Sequence, residues 1–363
     1  MNTNRNILIC PLEWGLGHAG RMIPVARKLR ERNYNVIIGS GKEHQAMFRN
    51  ELPGLTYIDF PGFKPDYSRF LPQYISLLLK MPLLLYHIAA EHMMLKRIIN
   101  ENKIDIILSD NRFGLWNRRI KSVYVTHQMV IPFPRSFRFL EWTGILFHRY
   151  FIKKYSLCFI PDLPGDINLS GRLSHGIRLP ENTRYIGLLS RFTGRSQSVG
   201  NRFGIPHNTV ILSGPEPQRG VLRQKLIEIL SKREPLSVFL EGKPGDSVEM
   251  SKSENIISYN HLPANEMQDM ITGSTGIVTR SGYTSVMELI SLKCSALLIP
   301  TPGQPEQEYL AEYLSGKGWF GTISQDLLNE GAIPASLEAV WPSYIFEESS
   351  ELLDKALDEL LNK

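Results

Sequence analysis

The sequence predicts an α/β chain of two Rossmann-like domains facing each other across a central cleft. Three observations predict it. The 363 residues exceed one ordinary core and suit two domains of roughly 150–190 residues each. Short, continuously apolar runs alternate with helical patterns, as in parallel sheets buried on both faces by crossover helices. The alternation stops near residues 187–204, in the Gly-, Ser- and Arg-rich GLLSRFTGRSQSVGNRFG, and then restarts.

The elements follow in order. Residues 6–12 read as a strand, and 20–33 as a helix with Ile23, Ala26 and Leu29 on one face and Arg21, Arg27, Lys28, Arg30 and Arg32 elsewhere. Strands follow at 35–40 and 55–60, then a helix at 91–102. Three further strands, 105–110, 123–128 and 157–162, each end in polar residues. Beyond the linker, strands are expected at 210–214, 237–242, 255–260, 276–282 and 295–300. Helices are expected at 221–232 and about 283–292, and a last amphipathic helix at 350–362. The expected organisation is an acceptor domain at 1–188, a linker at 189–204, a donor domain at 205–345 and a C-terminal helix at 346–363.

Composition narrows the class. Hydrophobic content of 42% and charged content of 21% support real cores and exclude a disordered chain. Cys10, Cys158 and Cys294 are too few for a disulfide framework and lack zinc spacing. They read as buried free thiols in a reducing compartment. The start has no signal-peptide layout, and the most apolar run, 75–88, is interrupted by Lys80 and Pro82, so no membrane span is expected. The net charge of +5 divides unevenly. Residues 1–190 carry 26 Lys+Arg against 14 Asp+Glu, and residues 191–363 carry 15 against 22. The basic first half suits an anionic surface or acceptor; ordinary variation between domains is the plainer account.

Three motifs carry chemistry. Gly15-Leu16-Gly17-His18-Ala19-Gly20-Arg21 lies between the first strand and its helix, where glycines permit close approach and a helix amino end favours anions. It matches GxGxxG, but the acidic residue of dinucleotide binders is missing after the second strand, which ends Gly39-Ser40-Gly41-Lys42. A histidine there titrates near working pH and suits a general base; bracing the turn is the alternative. Glu13 and Asp110, at strand ends, are alternative bases and read first as structural or acceptor-binding. The second motif, residues 279–288, opens a helix after a strand: Ser281, Gly282 and the next amides suit a diphosphate, and Glu288 suits ribose hydroxyls. The third, residues 300–309, places Gln304, Gln307 and Glu308 ahead of a helix, where they suit hydroxyl and base-edge hydrogen bonds.

Together these motifs resemble the GT-B glycosyltransferases. Within them the likeness is to family 28, which includes the enzymes adding GlcNAc to lipid-linked muramyl-pentapeptide. The resemblance covers nearly the whole chain in layout and is specific in these three motifs. It implies that Glu288 holds the donor ribose and that Arg280, Ser281 and Gly282 sit at the diphosphate. Gln304, Gln307 and Glu308 would face the sugar or ribose, and Leu262 would line the base pocket. It further implies His18 as base, with Gly15, Gly17, Arg21 and Asp110 on the acceptor side. The second-half glycine-rich loop of the family corresponds to Ser213-Gly214-Pro215-Glu216-Pro217-Gln218-Arg219. Here the chain departs: Pro215 and Pro217 offer no N–H, Glu216 adds a negative charge that Arg219 can offset, and Pro305 replaces a frequent aspartate.

The implied reaction is metal-independent transfer from a UDP-sugar to a glycan or lipid-linked acceptor, with no cofactor and no nucleic acid, in the cytoplasm at the inner membrane face. No DxD pair suited to a bridging metal is present. Residues 69–94 and 133–154, apolar with basic edges, are expected to touch an anionic membrane; packing within the first domain is the alternative. Three rivals remain: a nucleotide-sugar hydrolase or 2-epimerase, a nucleotide-binding protein without transferase activity, and, more distantly, a dinucleotide oxidoreductase.

Overall fold

The computed structural model describes residues 5–63, 79–193, 204–245, 247–329, 331, 333 and 338–362. The expected membrane-contact residues Arg69, Phe70, Tyr74, Leu77 and Leu78 and most of the expected linker lie outside the described residues.

Two seven-stranded sheets form the frame. The first contains β1 (Asn6–Cys10), β2 (Asn35–Ser40), β3 (Thr56–Asp59), β4 (Ile104–Asp110), β5 (Lys121–Val125), β6 (Leu157–Ile160) and β7 (Thr183–Tyr185), in the order β3-β2-β1-β4-β5-β6-β7, all parallel. The second contains β8 (His207–Ile211), β9 (Leu236–Leu240), β10 (Met250–Ser253), β11 (Ile256–Tyr259), β12 (Gly276–Thr279), β13 (Leu297–Leu298) and β14 (Gly321–Thr322), in the order β10-β11-β9-β8-β12-β13-β14. Within it only the exposed edge strand β10 runs antiparallel. Strand β1 is apolar along its length beyond Asn6, as a strand covered on both faces should be: Ile7, Leu8, Ile9 and Cys10 are fully buried. Burial pushes the Cys10 and Cys158 thiols up to about 12, so both stay protonated.

The helices are α1 (Leu16–Glu31), α2 (Lys42–Glu51), α3 (Met81–Asn102), α4 (Glu141–Ile152), α5 (Gln218–Leu230), α6 (Ala264–Thr272), α7 (Tyr283–Ser291), α8 (Pro305–Gly316) and α9 (Ile345–Leu361). Two departures from expectation matter. The helix expected at 20–33 starts at Leu16, because Gly15 takes φ 148 and turns the chain directly off β1. His18 and Arg21 therefore stand three apart on a helix and share one of its sides. The helix expected at 91–102 begins ten residues earlier, behind a proline in its first turn.

The chain order reverses in each sheet at the same kind of place. In the first sheet β1 is flanked by β2 and β4; in the second β8 is flanked by β9 and β12. In open parallel sheets ligands bind beyond the carboxyl ends of such strands. The loops after β1, β4, β8 and β12 carry the motifs. Helix α9 returns to the first sheet: Arg184 pairs with Glu359 at 2.8 Å, Arg32 with Asp354 at 2.8 Å, and Lys121 donates to Leu360 O at 2.8 Å.

Candidate functional site

His18, at the start of α1, meets Asp110 at the end of β4: Nδ1 lies 2.9 Å from Asp110 Oδ2. Arg21 joins them one turn on. Its Nε reaches both Asp110 oxygens, at 3.1 and 3.0 Å, and its Nη2 pairs with Oδ1 and lies 2.9 Å from His18 Nδ1. Arg21 and Asp110 are buried, at 1% and 0% exposed. A buried charge survives only when paired, and these two satisfy one another. The carboxylate and the guanidinium compete for one imidazole nitrogen. Arginine has only donors, so a Nδ1 that donates to Asp110 leaves the Nε2 lone pair as the open base. Among the described residues no hydrogen bond engages Nε2, and the side chain keeps 18% exposure. Burial, followed by the Arg21 charge, lowers the His18 pKa below the usual imidazole value, which keeps the ring neutral. Asp110 is held below the usual carboxylate range: burial works against this, and Arg21 and His18 overcome it.

The cluster extends to residues that sequence reasoning passed over. Arg21 Nη1 lies 3.0 Å from His127 Nδ1, just beyond β5. Since guanidinium only donates, Nδ1 accepts and the ring proton sits on Nε2. That N–H donates to Glu306 Oε1 at 2.7 Å, and Gln128 Nε2 donates to Glu306 Oε2 at 3.2 Å. Glu306 lies in the first turn of α8, in the second half of the chain, so these bonds join the two halves. His127 also stacks on Tyr283, the first residue of α7, at 4.0 Å and 8°, and the Tyr283 hydroxyl donates to Pro161 O at 2.8 Å. The signal for His127 was present: the run VYVTHQ places His127 and Gln128 at a strand's carboxyl end.

Helices α1 and α7 pack directly. A Cβ on Gly17 would lie 3.1 Å from Thr284 Oγ1, and that hydroxyl donates to Gly17 O at 3.1 Å. Gly17 thus serves the crossing of two helices. Gly15 stands in open space at the turn, its carbonyl 3.2 Å from His44 Nε2. Arg21 and Asp110, expected on the acceptor side, are buried and both contact His18. Glu13 is buried and accepts the Gly41 N–H.

On the donor side the expected residues have partners within the protein itself. Arg280 is buried; its guanidinium donates to Ile299 O, Pro300 O, Gln218 O and Gln325 Oε1, and burial lowers its pKa to about 10. It braces the loops. Gln307 Oε1 accepts from Thr301, its Nε2 donates to Gln304 Oε1 at 2.6 Å, and Glu308 accepts the Gly303 N–H at 2.9 Å, so all three stiffen their own loop. Ser281 Oγ donates to Gln307 O, and Gly282 is the N-cap of α7. Leu262 packs in the core. Glu288 is not open: it is buried against α1 and pairs with Arg191, Nε to Oε1 at 2.8 Å. A carboxylate caught between packed elements needs such a partner, and a ribose would have to replace it. Burial raises the Glu288 pKa, and Arg191 opposes that. In the 213–219 loop Gly214 takes φ 92. Glu216 accepts from Gly220 N at 3.0 Å and from Arg219 Nε at 3.0 Å, while Arg219 also donates to Gly242 O. The carboxylate of Glu216 thereby occupies the amino end of α5 that a phosphate would otherwise use.

Residues 241–353 match the glycosyltransferase family 28 C-terminal domain. The chain is 25% identical over 173 residues to the UDP-N-acetylglucosamine–N-acetylmuramyl-(pentapeptide) pyrophosphoryl-undecaprenol N-acetylglucosamine transferase of Oceanobacillus iheyensis, covering 44% of this chain and 47% of that one. It is 25% identical over 154 residues to the protein of the same name from a Sulfurihydrogenibium species, covering 42% of each. The match thus spans less than half the length of these relatives. Among solved structures it resembles the glycosyltransferase SnogD from Streptomyces nogalater, with TM-score 0.60, 13% identity, and coverage of 98% of this chain and 96% of that one. It also resembles MurG of Acinetobacter baumannii, with TM-score 0.52, 11% identity, and coverage of 99% and 100%. The structural likeness establishes the architecture: the chain has the GT-B fold, and within it residues 241–353 are similar to the glycosyltransferase family 28 C-terminal domain.

Proposed function

We propose that the chain is a glycosyltransferase that moves a sugar from a UDP-sugar to a hydroxyl of a glycan or lipid-linked acceptor, with His18 as base. The observation that carries this reading is the His18–Asp110 contact at the strand ends of the first sheet, opposite the amino end of α7. Nε2 takes the acceptor proton as the acceptor oxygen attacks the anomeric carbon. The bond from that carbon to the diphosphate breaks, and the diphosphate leaves with the electron pair. Asp110 steadies the imidazolium, and the amide end of α7 meets the leaving charge. The reading needs no metal or cofactor. GlcNAc is the sugar suggested by the names of the sequence relatives. The test is turnover with UDP-sugars, with and without glycan acceptors. Fast turnover without an acceptor would instead favour a hydrolase or epimerase, and failure to bind UDP would end the donor assignment.

A lipid-linked acceptor gains support from an exposed apolar surface. Leu83, Tyr86 and Met93 of α3, and Phe139, Trp142 and Tyr150 on or just before α4, are exposed, with Lys96, Arg97 and Arg149 on the same helices. No helix among the described residues is long and apolar enough to cross a membrane. The reading is peripheral contact with an anionic leaflet at the cytoplasmic side, in assembly of a cell-envelope polysaccharide. Co-sedimentation with anionic but not zwitterionic vesicles tests it; equal behaviour with both would remove it.

A further inference from the structure

Two features of the first half meet at Arg172. One is apolar and exposed. The short 3-10 turn Arg135–Leu140 leads directly into α4, and Phe137, Phe139, Trp142 and Leu146 along this stretch stand in solvent. The other is the loop 162–175, which meets the second half. Asp162 is fully buried and accepts from the N–H groups of Leu163, Leu169 and Ser170 at 2.8, 2.9 and 2.8 Å, so the loop folds around a fixed carboxylate. Helix α8 docks on that loop. Gly171 takes φ 50, and a Cβ there would collide with the Tyr309 hydroxyl and come within 2.9 Å of the Tyr313 ring. The Tyr309 hydroxyl accepts the Arg172 N–H at 2.8 Å, the Tyr313 hydroxyl donates to Asn168 Oδ1 at 2.8 Å, and Lys317 Nζ donates to Asp166 O at 3.0 Å. The Arg172 side chain joins the two features. Its Cζ lies 4.7 Å over the Tyr309 ring, and its Nη1 donates to Glu141 Oε2 at 2.7 Å. Glu141 is the first residue of α4, and its other oxygen accepts the Phe133 N–H at 3.2 Å. The ion pair is 28% and 13% exposed, so water screens it less than a surface pair. One connected series therefore runs from the exposed apolar stretch through Glu141, Arg172 and Tyr309 to α8, whose amino end carries the 300–308 loop.

Resting on the transferase and membrane readings, we propose that the exposed apolar surface regulates the cleft: seating residues 137–146 on an anionic leaflet tightens nucleotide binding through Glu141, Arg172 and Tyr309. The element with two states is the contact of α8 with the 162–175 loop, either clasped or released. Burying Phe137, Phe139 and Trp142 in lipid pins the start of α4, and with it Glu141. A pinned Glu141 holds the guanidinium over Tyr309, and the clasped state gains population. Nucleotide binds that state better because the 300–308 loop and α8 are already in place. Such coupling is reciprocal: nucleotide must tighten lipid binding by the factor by which lipid tightens nucleotide binding.

The experiment is calorimetric titration of the full chain with UDP in three settings: free, with phosphatidylcholine vesicles, and with vesicles of phosphatidylcholine and phosphatidylglycerol, as wild type and as Arg172→Gln. Co-sedimentation with the same vesicles, with and without UDP, reads the reverse direction. Expected in wild type is about tenfold tighter UDP binding on the anionic vesicles, and vesicle binding strengthened about tenfold by UDP. In Arg172→Gln both factors fall below about twofold, while the variant still sediments with anionic vesicles. Wild-type UDP affinity that is unchanged or weakened on vesicles that do bind would overturn the proposal and leave both earlier readings standing. So would a coupling factor retained in a folded Arg172→Gln. Failure to sediment with anionic vesicles would overturn it together with the membrane reading, and failure to bind UDP would overturn it together with the donor reading. Should Arg172→Gln not fold, Glu141→Gln removes the same ion pair from the other side and must show the same loss of coupling.

Discussion

The two sheets bring different materials to the cleft. The first brings side chains: His18, Arg21, Asp110 and His127 form one hydrogen-bonded series, largely buried, with only His18 left partly open. The second brings fewer charged groups. Its polar side chains at 304, 307 and 308 bond within their own loop, and what faces across is the amino end of α7, with Tyr283 and Thr284, together with Glu306. The difference teaches where substitutions act. On the first side, removing one group strands its partners. On the second, losing a loop-bracing side chain moves amides that act only through their position.

The largest expected effect follows from that contrast. His18→Ala should lower turnover on the order of 10²–10⁴-fold, with donor affinity within about threefold by calorimetry. Turnover near wild type would remove the first sheet from the chemistry. Asp110→Ala should act twice, through catalysis and through stability. It leaves the Arg21 guanidinium buried and unpaired, which costs about 3–5 kcal/mol; chemical denaturation reads this. A loss below about 1 kcal/mol would mean that water reaches Arg21 and the pair is not sealed.

On the second side, Glu288→Gln should weaken UDP-sugar binding by about 10–100-fold, the worth of charge-assisted hydrogen bonds to two hydroxyls. Unchanged affinity would leave Glu288 as nothing more than the partner of Arg191. The pH profile sharpens the contrast further. Because burial and Arg21 lower the His18 pKa, the base stays neutral as pH falls, and the acid limb of kcat/KM should lie below about 6.5. A limb above that value would place another group in control.

Much of this architecture was legible. Apolar runs such as NVIIGS and DIILSD announced the parallel strands, and β2 falls where the pattern put it. Strands β7 and β14, of three and two residues, are too short to carry a period, and the exposed polar β10 carries no apolar signal. The helix start at Leu16 was hidden because glycines read as loop, whereas here Gly17 is helical and lets α7 approach. The site was half legible. His18 and Asp110 stood out as polar groups at strand ends. Glu306 sat inside a recognised motif and was passed over because spacing alone does not reveal which member of a Gln/Glu cluster reaches the first half. Arg191 lay at the edge of a stretch read as linker, and its pairing with Glu288 arises only from the packing of α1 and α7.

The smallest effect belongs to the seam where α9 returns to the first sheet. Asp354 pairs there with Lys28 and Arg32 and is partly exposed, unlike Asp110. Burial works against ionisation of Asp354, and the two cations overcome it, so its carboxyl is held below the usual range. A depressed folded-state pKa gives stability that is present above the unfolded value of about 3.9 and is lost as pH falls through the folded one. Exposed pairs of this kind contribute about 0.2–1 kcal/mol each and are screened by salt. Asp354→Asn should therefore lower the melting temperature by a few degrees at most at pH 7 and low salt, and the gap to wild type should shrink both at pH 3 and in 1 M salt. A gap that persisted at pH 3 would assign the loss to packing of α9 rather than to its charges. A gap as large as that of Asp110→Ala would erase the distinction between a sealed pair and a solvated one.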